Sequence, residues 1–171
     1  MRVLRFLLTL MAAMVVHLVM VATMPGVGRV VDPFLLMIVF YASRGDVVTG
    51  MLVGAGVGLV EDAVSGGLYG LHGFAGTCVG YGLARAAQFL TLQKAYYVVL
   101  FFGAGVLVQQ AVMRGLTAVL LRQQEVPALG ELTLMVVVMG LLGLTAVVTI
   151  ESVADRWGSW RRDHRPRISL D

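Results

Sequence analysis

The stretch from Gly50 to Gly82 constrains this chain most, because it combines a very high glycine content with an apolar background. Eleven of the chain's 21 glycines lie in this stretch. Glycine at this density in an apolar helix allows two backbones to approach closely. The same stretch contains the acidic pair Glu61-Asp62, and such charges must lie at a membrane surface or face another protein group. The stretch therefore predicts a close-packed helical hairpin with an acidic turn.

The composition indicates a membrane protein. Of the 171 residues, 58% are hydrophobic and only 13% are charged, and the mean hydropathy is +0.87. Soluble domains average about 25% charged residues. The fold class that we predict is all-α, a polytopic integral membrane protein. Residues 1–155 are expected to form one transmembrane domain, and residues 156–171 a basic cytoplasmic tail.

Charge-free runs predict six transmembrane helices. Four runs are long enough to cross about 30 Å of hydrocarbon at about 1.5 Å per residue: Phe6–Gly28, Ala63–Ala84, Ala95–Met113 and Leu132–Ile150. The second and third helices are expected to be short: Pro33–Ser43 and Val47–Val60.

Residues 33–60 have two possible arrangements. The charged turn Arg44-Gly45-Asp46 separates the two short helices, and Asp32 is expected to cap the first of them, with Pro33 in its first turn. These residues either cross the membrane twice or form a re-entrant hairpin, and the topology of the remaining chain is the same for both. We favour two crossings.

The distribution of basic residues predicts that both termini are cytoplasmic. With six helices, ten arginines and lysines fall on the cytoplasmic side and two, Arg29 and Arg122, fall on the outer side. Cytoplasmic loops of membrane proteins carry such an excess. A single helix over residues 33–60 would reverse the asymmetry, so the sequence argues against it. The predicted location is the bacterial inner membrane.

Three glycines form a regular stripe on the predicted third helix. Gly50, Gly54 and Gly58 recur every four residues and place one smooth face on that helix. The stripe either docks a partner helix or packs inside the bundle, and packing is the commoner use of such a motif. Gly76 and Gly80 repeat the spacing on the next helix.

Polar residues within the spans are few. We expect Asp62 to pair with Arg114, which lies at similar depth on the fifth helix, with Gln110 sharing the contact. His17 and His72 have no acidic residue or cysteine at helical spacing, which gives no support to a metal site.

The sequence lacks the local motifs of phosphate-binding loops, serine hydrolases and zinc proteases. We expect no enzymatic activity, no cofactor and no metal.

The tail contains two tryptophans and five arginines. Trp157 and Trp160 suit the headgroup level of a bilayer, and the arginines suit anionic lipid. The basic net charge of +3 comes mostly from this tail. Because these arginines lie beside hydrophobic spans, we interpret them as topology signals and lipid contacts rather than as a nucleic-acid site.

A longer motif joins the glycine stripe to the acidic pair and the following turn. It reads G-x3-G-x3-G-x3-D and then S-G-G-x-x-G-L-H. In this chain its members are Gly50, Gly54, Gly58, Asp62, Ser65, Gly66, Gly67, Gly70, Leu71 and His72. With its length, its six-helix hydropathy and the Asp32-Pro33 helix start, the chain resembles the MreD family of rod shape-determining membrane proteins. Arg114 does not match the family pattern.

The resemblance implies a noncatalytic scaffold in the bacterial cell-elongation machinery. It implies MreC, the actin-like MreB, the RodA glycosyltransferase and its penicillin-binding transpeptidase as partners. It also implies a fold related to the substrate-binding subunits of energy-coupling-factor vitamin transporters. The alternative function is therefore a small-solute binding subunit of a transporter. That function requires polar groups that converge on a pocket, and the sequence offers few.

Overall fold

The described part of the chain consists of helices joined by short turns, with no strand among the described residues. The computed structural model describes residues 2–28, 30–66, 68–89, 95–121 and 129–163. The helices are α1 (Arg2–Thr23), the single turn α2 (Pro25–Gly28), α3 (Pro33–Ala42), α4 (Val47–Ser65), α5 (Leu71–Ala87), α6 (Ala95–Leu121) and α7 (Leu129–Asp163). The all-α class is confirmed. Among the described residues, four stretches are long and apolar enough to cross a membrane: Val3–Thr23, Val47–Ser65, Tyr97–Leu120 and Gly130–Thr149.

Several helix boundaries differ from those predicted. The first helix ends at Thr23 rather than Gly28, because a proline at position 25 disfavours helical geometry in the residue before it. Helix α4 is not short, since it continues through the acidic pair to Ser65 and has 19 residues. The next helix begins at Leu71 instead of Ala63. Helix α7 continues past the predicted domain boundary at residue 155, and residues 164–171 lie outside the described part of the chain.

Helix α3 forms the centre of the bundle. It contacts α1, α4, α5, α6 and α7, and seven of its ten residues are buried. A helix that is apolar on all sides is stable only when other elements surround it. Its start is as predicted: the Asp32 carboxylate accepts hydrogen bonds from the amides of Phe34 and Leu35, and Pro33 occupies the first turn. Ten residues rise only about 15 Å, about half the hydrocarbon thickness.

The predicted hairpin is formed by α4 and α5. Their glycines face each other in antiparallel order, so that Gly50 lies against Gly80, Gly54 against Gly76 and Gly58 against Gly73. A Cβ atom on Gly54 would lie 2.6 Å from the carbonyl carbon of Gly76. A Cβ atom on Gly50 would lie 2.6 Å from the carbonyl oxygen of Gly80. These neighbours are backbone atoms and cannot rotate away, so the stripe packs inside the bundle.

We expect alanine at Gly54 to destabilise the hairpin and alanine at Gly56 to be tolerated. Gly54→Ala forces the two backbones apart, at a cost of about 1–3 kcal/mol in the free energy of unfolding. Gly56 is exposed on the same helix, and nothing lies within 4 Å of a Cβ placed there. Both substitutions raise helix propensity equally. Thermal unfolding and folded yield in detergent measure the difference, and equal stability of the two variants would contradict the packing of the stripe.

Candidate functional site

Asp62 is the buried anchor at one end of the hairpin. Its side chain lies in α4, has no solvent exposure, and reaches across to the first turn of α5. One carboxylate oxygen accepts hydrogen bonds from the amides of Gly70 (2.9 Å) and Gly73 (3.0 Å). The other accepts from the amide of His72 at 3.0 Å. The first amides of a helix have no partner within the helix and carry its positive dipole end. Asp62 therefore caps α5 from the preceding helix.

Two glycines in the connecting turn make this reach possible. Gly66 ends α4 with φ of 65°, and Gly70 precedes α5 with φ of 91°. Residues with a Cβ rarely adopt this left-handed backbone. Gly70 has no side chain that could cap α5, so a cap has to come from elsewhere in the chain. Gly67, the remaining glycine of the predicted motif, lies outside the described residues.

His72 links the two acidic residues of the pair. Its Nδ1 atom is 2.9 Å from the Asp62 carboxylate, and its Nε2 atom is 3.4 Å from the Glu61 carboxylate. Glu61 is itself 6% exposed. An imidazole ring between two carboxylates forms an ion pair with both when it is protonated. The pair at positions 61 and 62 is thus part of a buried network rather than a solvated turn.

The predicted ion pair between Asp62 and Arg114 is wrong. Helix amides and His72 already occupy both oxygens of Asp62. The Arg114 guanidinium instead donates to Gln110 Oε1 at 3.3 Å, one turn earlier on α6. The contact with Gln110 was expected from their spacing. The sequence indicates which charged residues lie at a similar depth in the membrane. It does not show that the first amides of α5 need an acceptor, which Asp62 provides.

A second polar contact joins α3 to α6. Asp32 uses one carboxylate oxygen to cap α3, and its other oxygen accepts a hydrogen bond from Gln109 Nε2 at 2.9 Å. The Gln109 residue is only 8% exposed. Its Oε1 atom is buried and has no hydrogen-bond partner in the described structure. An unsatisfied buried acceptor is costly, so this oxygen calls for an explanation.

These polar groups surround one cavity of about 240 Å³. It lies where α4 ends and where α3 and α5 begin, at the opposite end of the bundle from the turn at Arg44. Seven polar residues line it: His17, Asp32, Glu61, Ser65, His72, Gln109 and Gln110. They come from α1, α4, α5, α6 and the cap of α3. Among the described residues, no group of three histidine, cysteine or acidic side chains has the arrangement of a metal site.

The structure brings together only part of what the sequence proposed. His72 and Asp62 belong to this polar cluster. Gly50, Gly54 and Gly58 form the glycine stripe along which α4 packs against α5. Sequence reasoning treated Asp32 only as a helix cap and did not use Gln109 as a site residue. The sequence did carry a signal for Gln109, because a polar side chain inside an apolar span is unusual and is generally functional.

The described helices include four that are long and apolar enough to span a membrane, and two helices pack closely through glycines. These features define a polytopic membrane protein. A family model described as rod shape-determining protein MreD matches residues 1–161. The chain therefore belongs to the MreD family, which implies a role in rod shape determination. Comparison with curated proteins finds no match, and comparison with solved structures finds none. The relation to vitamin-transporter subunits stays a prediction.

We expect Asp62→Asn to destabilise the protein strongly. An asparagine keeps one acceptor oxygen, but its NH₂ group would face amide donors, which leaves buried donors unpaired at about 1–3 kcal/mol each. Asp46→Asn is the matched control, because Asp46 caps α4 at an exposed turn and asparagine is an equally good cap there. Thermal unfolding of both purified variants distinguishes them. Equal unfolding temperatures would show that Asp62 does not hold α5.

Proposed function

We propose that this chain is a noncatalytic inner-membrane scaffold of the bacterial cell-elongation machinery, acting in rod shape and peptidoglycan synthesis. Its partners would be MreC, MreB, RodA and the penicillin-binding transpeptidase that works with RodA. The observation that carries this proposal is the family match over residues 1–161. This range covers α1 to α6 in full and α7 except for its last two residues.

The packing of the glycine stripe supports one feature of this scaffold. Gly50, Gly54 and Gly58 are closed off by the backbone of α5, so they are not available to a partner helix. Partner proteins would then bind the outer, lipid-facing surfaces of the bundle. The stripe would contribute indirectly, by keeping α4 and α5 in one rigid unit.

The second candidate function is a small-solute binding subunit of a transporter. One observation favours it: the polar side chains that such a function requires do converge on a cavity. The scaffold remains our first choice, because the family match concerns shape determination.

We expect cells depleted of this protein to change from rods to spheres, and expression of the wild-type chain to restore rods. Purification of the tagged chain from native membranes should retain MreC, whereas an unrelated six-helix membrane protein with the same tag should not. Light microscopy measures the shape and mass spectrometry identifies the retained proteins. Rod-shaped growth without the protein, together with loss of MreC from the purified sample, would overturn the scaffold proposal.

We also propose that both termini are cytoplasmic, with the tail of residues 156–171 contacting anionic lipid. A reporter enzyme that is active only in the periplasm, fused after Asp171, should give no signal. The same reporter fused within residues 122–128, in the predicted outer loop, should be active. The basic residues of the sequence supply the reason, since they concentrate on the predicted cytoplasmic side. Activity of the C-terminal fusion would rule out this topology.

A further inference from the structure

The polar cavity between α1, α3, α4, α5 and α6 presents several hydrogen-bond acceptors, and one of them has no partner. Asp32 and Glu61 present carboxylates to it. Gln109 uses its NH₂ group on Asp32, and its Oε1 atom lacks a partner. Gln110 Oε1 already accepts from Arg114, which is not among the residues that line the cavity. The buried polar atom that lacks a partner in this lining is therefore an acceptor, which requires a donor.

The orientation of the Gln109 amide is determined by its neighbour. If the Gln109 amide were rotated by half a turn, its Oε1 atom would face the Asp32 carboxylate. Two acceptors cannot form a hydrogen bond, so both Oε1 and the carboxylate oxygen would lack a donor. The oxygen without a partner is thus a property of the site. It is held in place by the same carboxylate that caps α3.

The charge of the site also favours a cation. Three carboxylates belong to the network, those of Asp32, Glu61 and Asp62, and the two histidines are His17 and His72. Asp32 and Glu61 line the cavity, while Asp62 lies behind them and is already bound by three amides and His72. Acidic side chains that lie close together repel each other when ionised, and a cation that also donates hydrogen bonds would stabilise the ionised form.

We infer that this cavity binds a small organic cation with N–H donors, a primary ammonium or guanidinium group, through Gln109 Oε1 and the carboxylates of Asp32 and Glu61. Drug-sized ligands occupy cavities of about 300–1,000 Å³, so a cavity of about 240 Å³ suits a small molecule or a single headgroup. The inference goes beyond the scaffold function and does not depend on it.

The test uses the full-length protein in phosphatidylcholine nanodiscs, because the choline headgroup has no N–H donor. The probes are n-butylammonium, tetramethylammonium and butyrate. A ligand that binds the folded state raises the unfolding temperature with its concentration, and calorimetry measures the dissociation constant. We expect n-butylammonium to bind at least about tenfold more tightly than tetramethylammonium, since hydrogen bonds to charged groups contribute at least this factor. Butyrate should not bind.

Three variants assign the binding to the cavity. Glu61→Gln removes the carboxyl group that would pair with a cation while keeping the shape of the side chain. Gln109→Leu removes the oxygen without a partner, together with the donor to Asp32. Each should weaken n-butylammonium binding about tenfold or more. Gln88→Leu is the control, because Gln88 lies at the far end of α5 and pairs with Arg85. Using two site variants keeps the test valid if one of them fails to fold.

The ligand has two possible sources, a free amine or the ammonium of a phosphatidylethanolamine headgroup. Nanodiscs that contain phosphatidylethanolamine distinguish them. If this lipid raises the unfolding temperature and suppresses n-butylammonium binding, the source is the headgroup. If n-butylammonium binds equally well in both membranes, the source is a free solute. Equal binding of both cations, binding of butyrate, no binding at all, or unchanged binding in the folded site variants would overturn the inference.

Discussion

The carboxylate of Asp62 is the interaction on which the rest of this structure depends. It reaches from α4 to three amides at the start of α5, and it also holds the ring of His72. A buried carboxylate is tolerated only when its oxygens are satisfied, and the orphan amides of a helix start require an acceptor. The two requirements meet in one contact. That contact joins the hairpin and orients His72 toward Glu61.

Close backbone packing is the second constraint, and it operates along the same hairpin. With no side chains between Gly54 and Gly76, the backbones of α4 and α5 lie in direct contact. In a bilayer, where lipid chains are as apolar as leucine, such close contact is a main source of helix association. The glycine stripe and the Asp62 cap both hold α4 against α5. The glycines bring the helices together, and the cap determines how α5 begins.

This shape-determining membrane protein also contains a polar cavity at one end of its bundle. Membership of the MreD family accounts for the role in rod shape. The cavity requires its own explanation, because two of its polar residues, Glu61 and Gln109, are buried among the helices. Buried polar side chains in a membrane protein are costly, and they are commonly functional. A ligand in this cavity would contact α1, α4, α5, α6 and the Asp32 cap of α3.

The sequence by itself determined the class of fold, the Asp32 cap, the turn at Gly45 and the close helical hairpin, because these follow from local patterns of charge, glycine and proline. It also indicated that the stripe of Gly50, Gly54 and Gly58 packs internally. Only the tertiary structure decided where Asp62 binds, because the amides that need an acceptor belong to another helix. For the same reason, it alone placed Gln109 against Asp32, residues 77 positions apart. The cavity forms only where residues of α1, α4, α5, α6 and the cap of α3 meet. Because these residues are far apart in the sequence, no local pattern predicts it.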